Sequence, residues 1–203
     1  SGVDLIDPDL ETHLDLGRLT RVSVSPSLGG FAYSFADHGQ ASMVQTPSSL
    51  ATPIGDWIGF HNGILFLEGQ EPTPEEVAEV AKWFGVRYVF LNPGNDQAVY
   101  QRFPEDKWLS VAAPGPVVKE LIESPGMVSL SSKPAVLLIG SEEKKAYTQV
   151  FRVATKGGFS FDQVLLVKGT ENIDDYSLEE LGKFSVIILH GYSYRNSQKA
   201  WKT

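Results

Sequence analysis

The sequence predicts an α/β fold, and its clearest part is a parallel β-sheet within residues 133–203. Three apolar runs recur there, at 135–139, 163–167 and 185–189, and amphipathic segments separate them. Strands that are apolar on both faces and alternate with such helices are typical of a parallel sheet covered on both sides. We therefore expect the opening part of a three-layer domain whose strands are joined by right-handed crossovers.

Helix signals lie between and after these runs. Ser141 is placed to cap the first helix, and Ser177 with Glu180 forms a capping box for the second. A third helix begins only a few residues before Thr203, where the sequence ends. Because three strands alone would leave an exposed apolar edge, which native sheets avoid, we expect this domain to be truncated at its C-terminus.

Residues 1–131 are predicted to form a separate, loop-rich mixed α+β subdomain. Glycine and proline recur in residues 29–63, so only short strands are expected near them, including an alternating strand at 21–25 and an apolar run at 64–67.

The end of this subdomain carries stronger signals. Thr73, Pro74 and Glu76 predict a capped helix start, and apolar residues then follow at helical spacing. A strand is expected directly afterwards, at 86–91. A shorter helix near 117–122 and an edge strand at 127–130 complete the predicted elements of this half.

The amino-acid composition excludes several classes of partner and of functional site. The formal net charge is −8, and lysine and arginine form no dense run, so nucleic acid is not expected as a partner. The 203 residues contain no cysteine, which excludes disulfides, thiolate metal sites and cysteine nucleophiles within them. No uninterrupted apolar stretch approaches the ~18 residues of a transmembrane helix.

Ligands of open parallel sheets bind beyond the carboxyl ends of the strands. Ser141 follows the first run, but its turn lacks a G-x-G-x-x-G pattern, and Glu142 and Glu143 would oppose a phosphate there. A dinucleotide or flavin site is therefore disfavoured, and no cofactor is expected. The plain alternative for Ser141 is a capped helix start.

The third run ends at His190, and Tyr192 and Tyr194 follow it. Aromatic rings stack on sugars and histidine titrates near neutrality, so a sugar-binding or proton-transfer site is one interpretation. Aromatic side chains that pack on the sheet edge are the more common alternative. Trp57 and His61 leave the same choice open in the N-terminal half, between a carbohydrate-facing loop and anchors of the subdomain.

No catalytic residue and no metal site is predicted. The four histidines lack the tight or paired spacing of known metal motifs. The serine-rich stretch at 46–49 lacks the G-x-S-x-G context of a nucleophile elbow.

Residues 133–203 resemble the class I glutamine-amidotransferase-like fold, a flavodoxin-like three-layer arrangement that also has non-catalytic members. The matching stretches are VLLIG at 136–140, QVLLV at 163–167 and FSVIILHG at 184–191. In that family the strand that carries the catalytic cysteine comes later in the chain. The resemblance therefore carries no catalytic residue over to this sequence.

Residues 70–130 resemble the extracytoplasmic portions of multi-pass, class C glycosyltransferase-like membrane proteins, including those described as 6-pyruvoyl-tetrahydropterin-synthase-related. The matching strand is FGVRYVFL at 84–91, followed by an irregular stretch that begins NPG at 92–94. Such proteins sometimes carry an amidotransferase-like domain next. The resemblance implies a location on the extracytoplasmic face of the cell membrane, in a parent that is a membrane glycosyltransferase, although the acidic metal-binding loops and membrane spans of those enzymes are missing here.

These resemblances lead to three hypotheses about function. The first is a non-catalytic extracytoplasmic accessory domain of a polytopic membrane protein, which binds or positions a glycan or lipid-linked sugar, or contacts a protein partner such as the parent membrane domain. The second is a fragment of a soluble amidotransferase-like or hydrolase enzyme that is cut before its nucleophile. The third is a sugar-binding or interaction module in its own right.

Overall fold

The structure is a computed structural model of the chain. It describes residues 14–16, 20–29, 42–43, 55–67, 69, 71–125, 132–141, 146–158, 160 and 163–202. The chain divides into two compact units, residues 1–130 and residues 131–203. Each unit has its own β-sheet.

The N-terminal unit is built on a mixed five-stranded sheet. Its strands are β1 (Arg21–Val24), β2 (Ser42–Met43), β3 (Val86–Leu91), β4 (Trp108–Val111) and β5 (Val117–Leu121), in the order β2-β1-β3-β5-β4. β1 pairs in parallel with β2 and β3, whereas β5 pairs antiparallel with β3 and β4. Buried side chains of β1, β3 and β5 form part of the core.

Two helices accompany this sheet, α1 (Gly55–Leu65) and α2 (Pro74–Trp83). The capping box at the start of α2 is present, because the side chains of Thr73 and Glu76 each accept from the other's backbone N–H. The apolar face of α2 is buried, and α2 is followed directly by β3. The helix and the strand predicted from the sequence at this place are confirmed.

Two elements of this unit differ from the prediction. Residues 117–121 form β5 rather than a short helix, because Val118 and Leu121 pair with Phe90 of β3 and Trp108 of β4. Apolar residues at these positions satisfy helical spacing by chance, and β-branched valines favour the strand. The predicted strand at 127–130 lies outside the described residues.

The apolar run at 64–67 was expected in a loop-rich region, but Ile64 and Leu65 end α1. Glycine costs about 1 kcal/mol at each helical position relative to alanine. Burial of Ile58, Ile64 and Leu65 offsets that cost, since all three are at most 4% exposed. Packing therefore overrides the glycine signals that indicated loops here.

The C-terminal unit contains an all-parallel three-stranded sheet with the order β7-β6-β8. Its strands are β6 (Ala135–Gly140), β7 (Leu165–Lys168) and β8 (Val186–His190), and its helices are α3 (Ala146–Lys156), α4 (Leu178–Leu181) and α5 (Ser197–Ala200). Strands and helices alternate along the chain, so the predicted mixed α/β fold with a parallel sheet is confirmed. β6 is the central strand, and its Leu137 and Ile139 pack with Leu181 in the core.

β8 is the most exposed of the three strands. Val186, Ile187 and Leu189 keep 51%, 38% and 44% of their surface accessible. Within the described residues, β8 therefore lacks the cover that the sequence predicted for both faces of this sheet.

Among the described residues, no helix combines the length and the apolar character needed to cross a membrane.

Candidate functional site

The strand order places a topological switch point between β6 and β8. From β6 the chain moves to β7 on one side, and then to β8 on the other side of β6. The crevice beyond the carboxyl ends of two such strands is the usual ligand position in open α/β sheets. Ser141 directly follows β6 and His190 ends β8, so two of the residues predicted from the sequence lie here.

Ser141 and His190 are joined through the backbone. The N–H of Ser141 donates to the carbonyl oxygen of His190 at 3.3 Å. Ser141 is buried, and the ring nitrogen Nδ1 of His190 is buried without a hydrogen-bond partner in the described part of the chain. A buried polar atom without a partner costs about 1–3 kcal/mol. The Nδ1 of His190 is therefore a polar atom near the switch point that is neither exposed to solvent nor hydrogen-bonded to a described residue.

The loops that follow β7 and β8 are hydrogen-bonded to each other. Asn172 and Ser193 form an isolated parallel bridge. The N–H of Ile173 donates to the carbonyl oxygen of Ser193 at 3.0 Å, and the N–H of Ser193 donates to that of Glu171 at 2.9 Å. These bonds extend the ladder past the ends of the strands and hold both loops in one layer.

Asp174 fixes the second of these loops. Its buried carboxylate accepts from the backbone N–H groups of Arg195 at 3.0 Å and Asn196 at 2.9 Å. The hydrogen bond from Arg195 is the main reason why the pKa of Asp174 is lowered. Lys199 donates to the Asp174 carbonyl oxygen, and the Asn196 side chain caps α5 by accepting from the Lys199 N–H at 3.1 Å.

Tyr192 and Tyr194 project from the loop that Asp174 fixes. They keep 47% and 57% of their surface accessible, and the nearby Trp201 keeps 90%. Together with Ile173, Ser197 and Ala200 they line a concavity of about 380 Å³, which we call the aromatic cleft. The structure thus brings together the two predicted tyrosines and a tryptophan that the sequence analysis did not select.

Trp201 and Asp174, which the sequence analysis did not select, have only weak signals in the sequence. Trp201 lies one turn after the Asn196 cap, which places it at the end of α5 beside the tyrosines. The sequence predicted a third helix here, but the side on which α5 packs depends on Asp174. Nothing in the local pattern around Asp174 indicates that its carboxylate binds backbone N–H groups more than 20 residues away.

A tight contact supports the loop after β7. The Tyr176 hydroxyl accepts from the N–H of Thr170 at 2.6 Å, and the N–H of Gly169 donates to the carbonyl oxygen of Leu138 at 2.7 Å. A Cβ atom at Gly169 would lie 2.6 Å from the Tyr176 hydroxyl and 2.8 Å from the Leu138 oxygen. Only glycine fits between the loop and β6 at this position.

The sequence predicted two candidate site residues in the N-terminal unit, His61 and Trp57. His61 is fully buried on α1, with its ring centroid 4.9 Å from that of Phe84 and 6.2 Å from that of Phe66. Its Nδ1 lies 3.0 Å from the side-chain oxygen of Asn62. This is the arrangement of a core residue. Trp57 lies on α1, and its side chain is outside the described residues.

The described residues contain no group of three or more histidine, aspartate or glutamate side chains arranged to hold a metal ion. His13 and His38 lie outside the described residues.

We expect Gly169→Ala to destabilise the C-terminal unit by about 1–3 kcal/mol, because the added methyl group overpacks the contact with Tyr176 and Leu138. Native-state hydrogen exchange of the β6 amides measures this change. The double variant Gly169→Ala with Tyr176→Phe removes one of the two clashing atoms and should recover part of the loss. Equal exchange protection in Gly169→Ala and the unmodified chain would contradict the close approach.

We also expect the N-terminal unit to lose stability as the pH falls from 6.5 towards 4. Burial, opposed by the Asn62 hydrogen bond and reinforced by the charge of Arg21, lowers the pKa of His61 from 6.5 to about 4. The unfolded chain therefore takes up a proton in this window that the folded chain does not. A shift of this size corresponds to about 3 kcal/mol, which is fully present as stability above pH 6.5.

Urea denaturation at a series of pH values measures this loss. The variant His61→Leu should remove that part of the pH dependence, whereas the matched variant His190→Gln in the other unit should retain it. An unchanged pH dependence in His61→Leu would show that His61 is not the group responsible.

Comparison with protein-family models, curated proteins and solved structures gives no match to this chain.

Proposed function

We propose that the C-terminal unit binds carbohydrate in the aromatic cleft and acts as a non-catalytic accessory domain that positions a glycan. The observation that carries the proposal is the exposure of three aromatic side chains around a single concavity, Tyr192, Tyr194 and Trp201. Large aromatic side chains are normally withdrawn from water, so three of them gathered in one opening favour a ligand with an apolar face.

The polar groups of the cleft favour a sugar over a purely apolar ligand. Tyrosine combines an apolar ring with a hydroxyl at its tip, and Ser197 adds a second hydroxyl to the lining. A sugar ring has the complementary form, with C–H groups on its faces and hydroxyls at its edge. Arg195, which follows Tyr194 in the chain, is paired with Asp175 at 3.3 Å, so this arginine does not require an anionic ligand.

The cleft is also preorganised. The two backbone hydrogen bonds accepted by Asp174, together with the bridge between Asn172 and Ser193, hold the tyrosine-bearing loop before any ligand arrives. Ordering a loop on binding reduces affinity, and a loop that is already fixed avoids that cost.

The finer parts of the proposal concern the family and the location. A flavodoxin- or amidotransferase-like three-layer fold is supported by the all-parallel order β7-β6-β8 and by the helix that follows β6. The extracytoplasmic location, the polytopic parent and the lipid-linked sugar as ligand are supported by the resemblance of residues 84–91 and by the order of the two units.

A second candidate function is an enzyme of the amidotransferase or hydrolase class. The observation in its favour is that His190, whose Nδ1 is buried without a partner among the described residues, ends β8 and accepts a hydrogen bond from the Ser141 N–H through its carbonyl oxygen. This hypothesis assigns the nucleophile to a later strand, so the parent protein that contains that strand is the one to assay for release of ammonia from L-glutamine. Activity of the parent that disappears in His190→Gln would give this histidine a catalytic role.

Titration of the full chain with a panel of oligosaccharides, with the heat of binding measured by calorimetry, tests the carbohydrate proposal. We expect Trp201→Ala and Tyr192→Ala each to weaken binding at least about tenfold, or about 1.4 kcal/mol, because each removes a stacking surface. Trp201→Phe retains a ring and should lose less. Leu178→Ala is the matched control, since Leu178 is 65% exposed and does not line the cleft.

Two results would contradict the proposal. Glycan binding that all three cleft variants leave unchanged would place the sugar elsewhere on the chain. No binding of any glycan at millimolar concentration would remove carbohydrate as the ligand.

A further inference from the structure

A second cavity lies in the N-terminal unit, beside the amino ends of β1 and β3. Its volume is about 450 Å³, and charged side chains dominate its lining, with Arg21, Arg87, Glu120 and Glu123 among them. Cavities of a few hundred Å³ are the usual size for small-molecule sites. Some of these charged side chains are paired with a described residue of opposite charge and others are not. This difference indicates which ligand would fit.

Arg87 and Glu120 neutralise each other. The Nε of Arg87 donates to the Glu120 carboxylate at 3.0 Å, and its Nη1 donates to Asp15 at 2.8 Å. Arg87 also lies over the ring of Tyr88, with its central carbon 5.0 Å from the ring centroid. These contacts occupy Arg87 and leave little of its charge for a ligand.

Arg21 is different. Its Nη1 donates to the carbonyl oxygen of Phe84 at 2.7 Å, and within the described residues no carboxylate forms an ion pair with it. A guanidinium has five N–H donors in a planar fork, so donors remain for a ligand. Partial burial lowers the pKa of Arg21, and its charge also contributes to the low pKa of the buried His61.

Glu123 supplies the opposite charge. It lies just after β5 with a φ of 59°, the left-handed region that glutamate rarely adopts. In the described part of the chain its carboxylate has neither an ion-pair nor a hydrogen-bond partner. The cavity therefore presents one unpaired cation, Arg21, and one unpaired anion, Glu123.

We propose that this cavity binds a small zwitterion of the α-amino acid class, with the ligand carboxylate on Arg21 and the ligand ammonium on Glu123. Guanidinium groups bind carboxylates through parallel, charge-assisted hydrogen bonds, and ammonium groups pair with carboxylates. A doubly charged phosphate fits less well, because Glu123 would repel it. A simple cation would be repelled by Arg21. The site lies in a different unit from the aromatic cleft and does not depend on it.

Amide chemical shifts of the full chain, recorded during titration, test this site. The probes are L-alanine, L-leucine and L-glutamine, with acetate and methylammonium as the two half-ligands and inorganic phosphate as the competing anion. We expect at least one amino acid to shift the amides of residues 20–21, 85–87 and 120–124, and to bind at least about tenfold more tightly than either half-ligand.

Variants separate the two ends of the ligand. Glu123→Gln should weaken amino-acid binding at least about tenfold and leave acetate binding unchanged, because it removes only the ammonium partner. Arg21→Met should weaken both. If Arg21→Met fails to fold, Glu123→Gln on its exposed position still decides the question. Glu105→Gln, an exposed glutamate that does not line the cavity, is the matched control.

Four outcomes would overturn the proposal. Phosphate or acetate binding as tightly as every amino acid would make this a simple anion site. Amino-acid binding that Glu123→Gln leaves unchanged would remove the role of that carboxylate. Shifts confined to residues outside the cavity would place the ligand elsewhere, and no shifts with any probe at millimolar concentration would show that the cavity binds none of them.

Discussion

The buried carboxylate of Asp174 determines the architecture of the carboxyl end of the parallel sheet. It accepts two backbone N–H groups from the segment that follows β8, and so it joins a loop after β7 to a loop that comes about twenty residues later. Hydrogen bonds from backbone N–H groups to a carboxylate are stronger than neutral ones. The position of α5, and with it the side chains of Tyr192, Tyr194 and Trp201, depends on this contact.

The two units use charge in contrasting ways. Around the aromatic cleft the ionic groups are satisfied within the protein, by Asp174 with backbone N–H groups and by Arg195 with Asp175. In the cavity of the N-terminal unit, Arg87 pairs with two carboxylates, whereas Arg21 forms no ion pair with any described carboxylate. A neutral ligand suits the first environment and a charged ligand suits the second, since an ionic group pairs best where an opposite charge is unpaired.

The sequence predicted those elements whose signals are local. The capping box at Thr73 and the apolar runs of β6, β7 and β8 each lie within a few consecutive residues. β5 was missed because its apolar spacing also fits a helix, and its pairing with Phe90 and Trp108 is a long-range contact. The same reason applies to the sites: His190 and the tyrosines follow a recognisable strand, but Asp174 and Arg21 gain their roles from residues distant in the chain.

The exposed aliphatic side chains of β8 have a consequence for the behaviour of the protein in solution. Among the described residues β8 pairs only with β6 and carries no lysine, arginine, aspartate or glutamate, so its other edge can pair with the same strand of another molecule. The formal net charge of −8 opposes such an encounter by repulsion between molecules. Dissolved salt shortens the range of that repulsion to about 3 Å at 1 M but leaves the apolar attraction in place. Higher ionic strength is therefore expected to favour pairing between copies of this chain, and low ionic strength to oppose it.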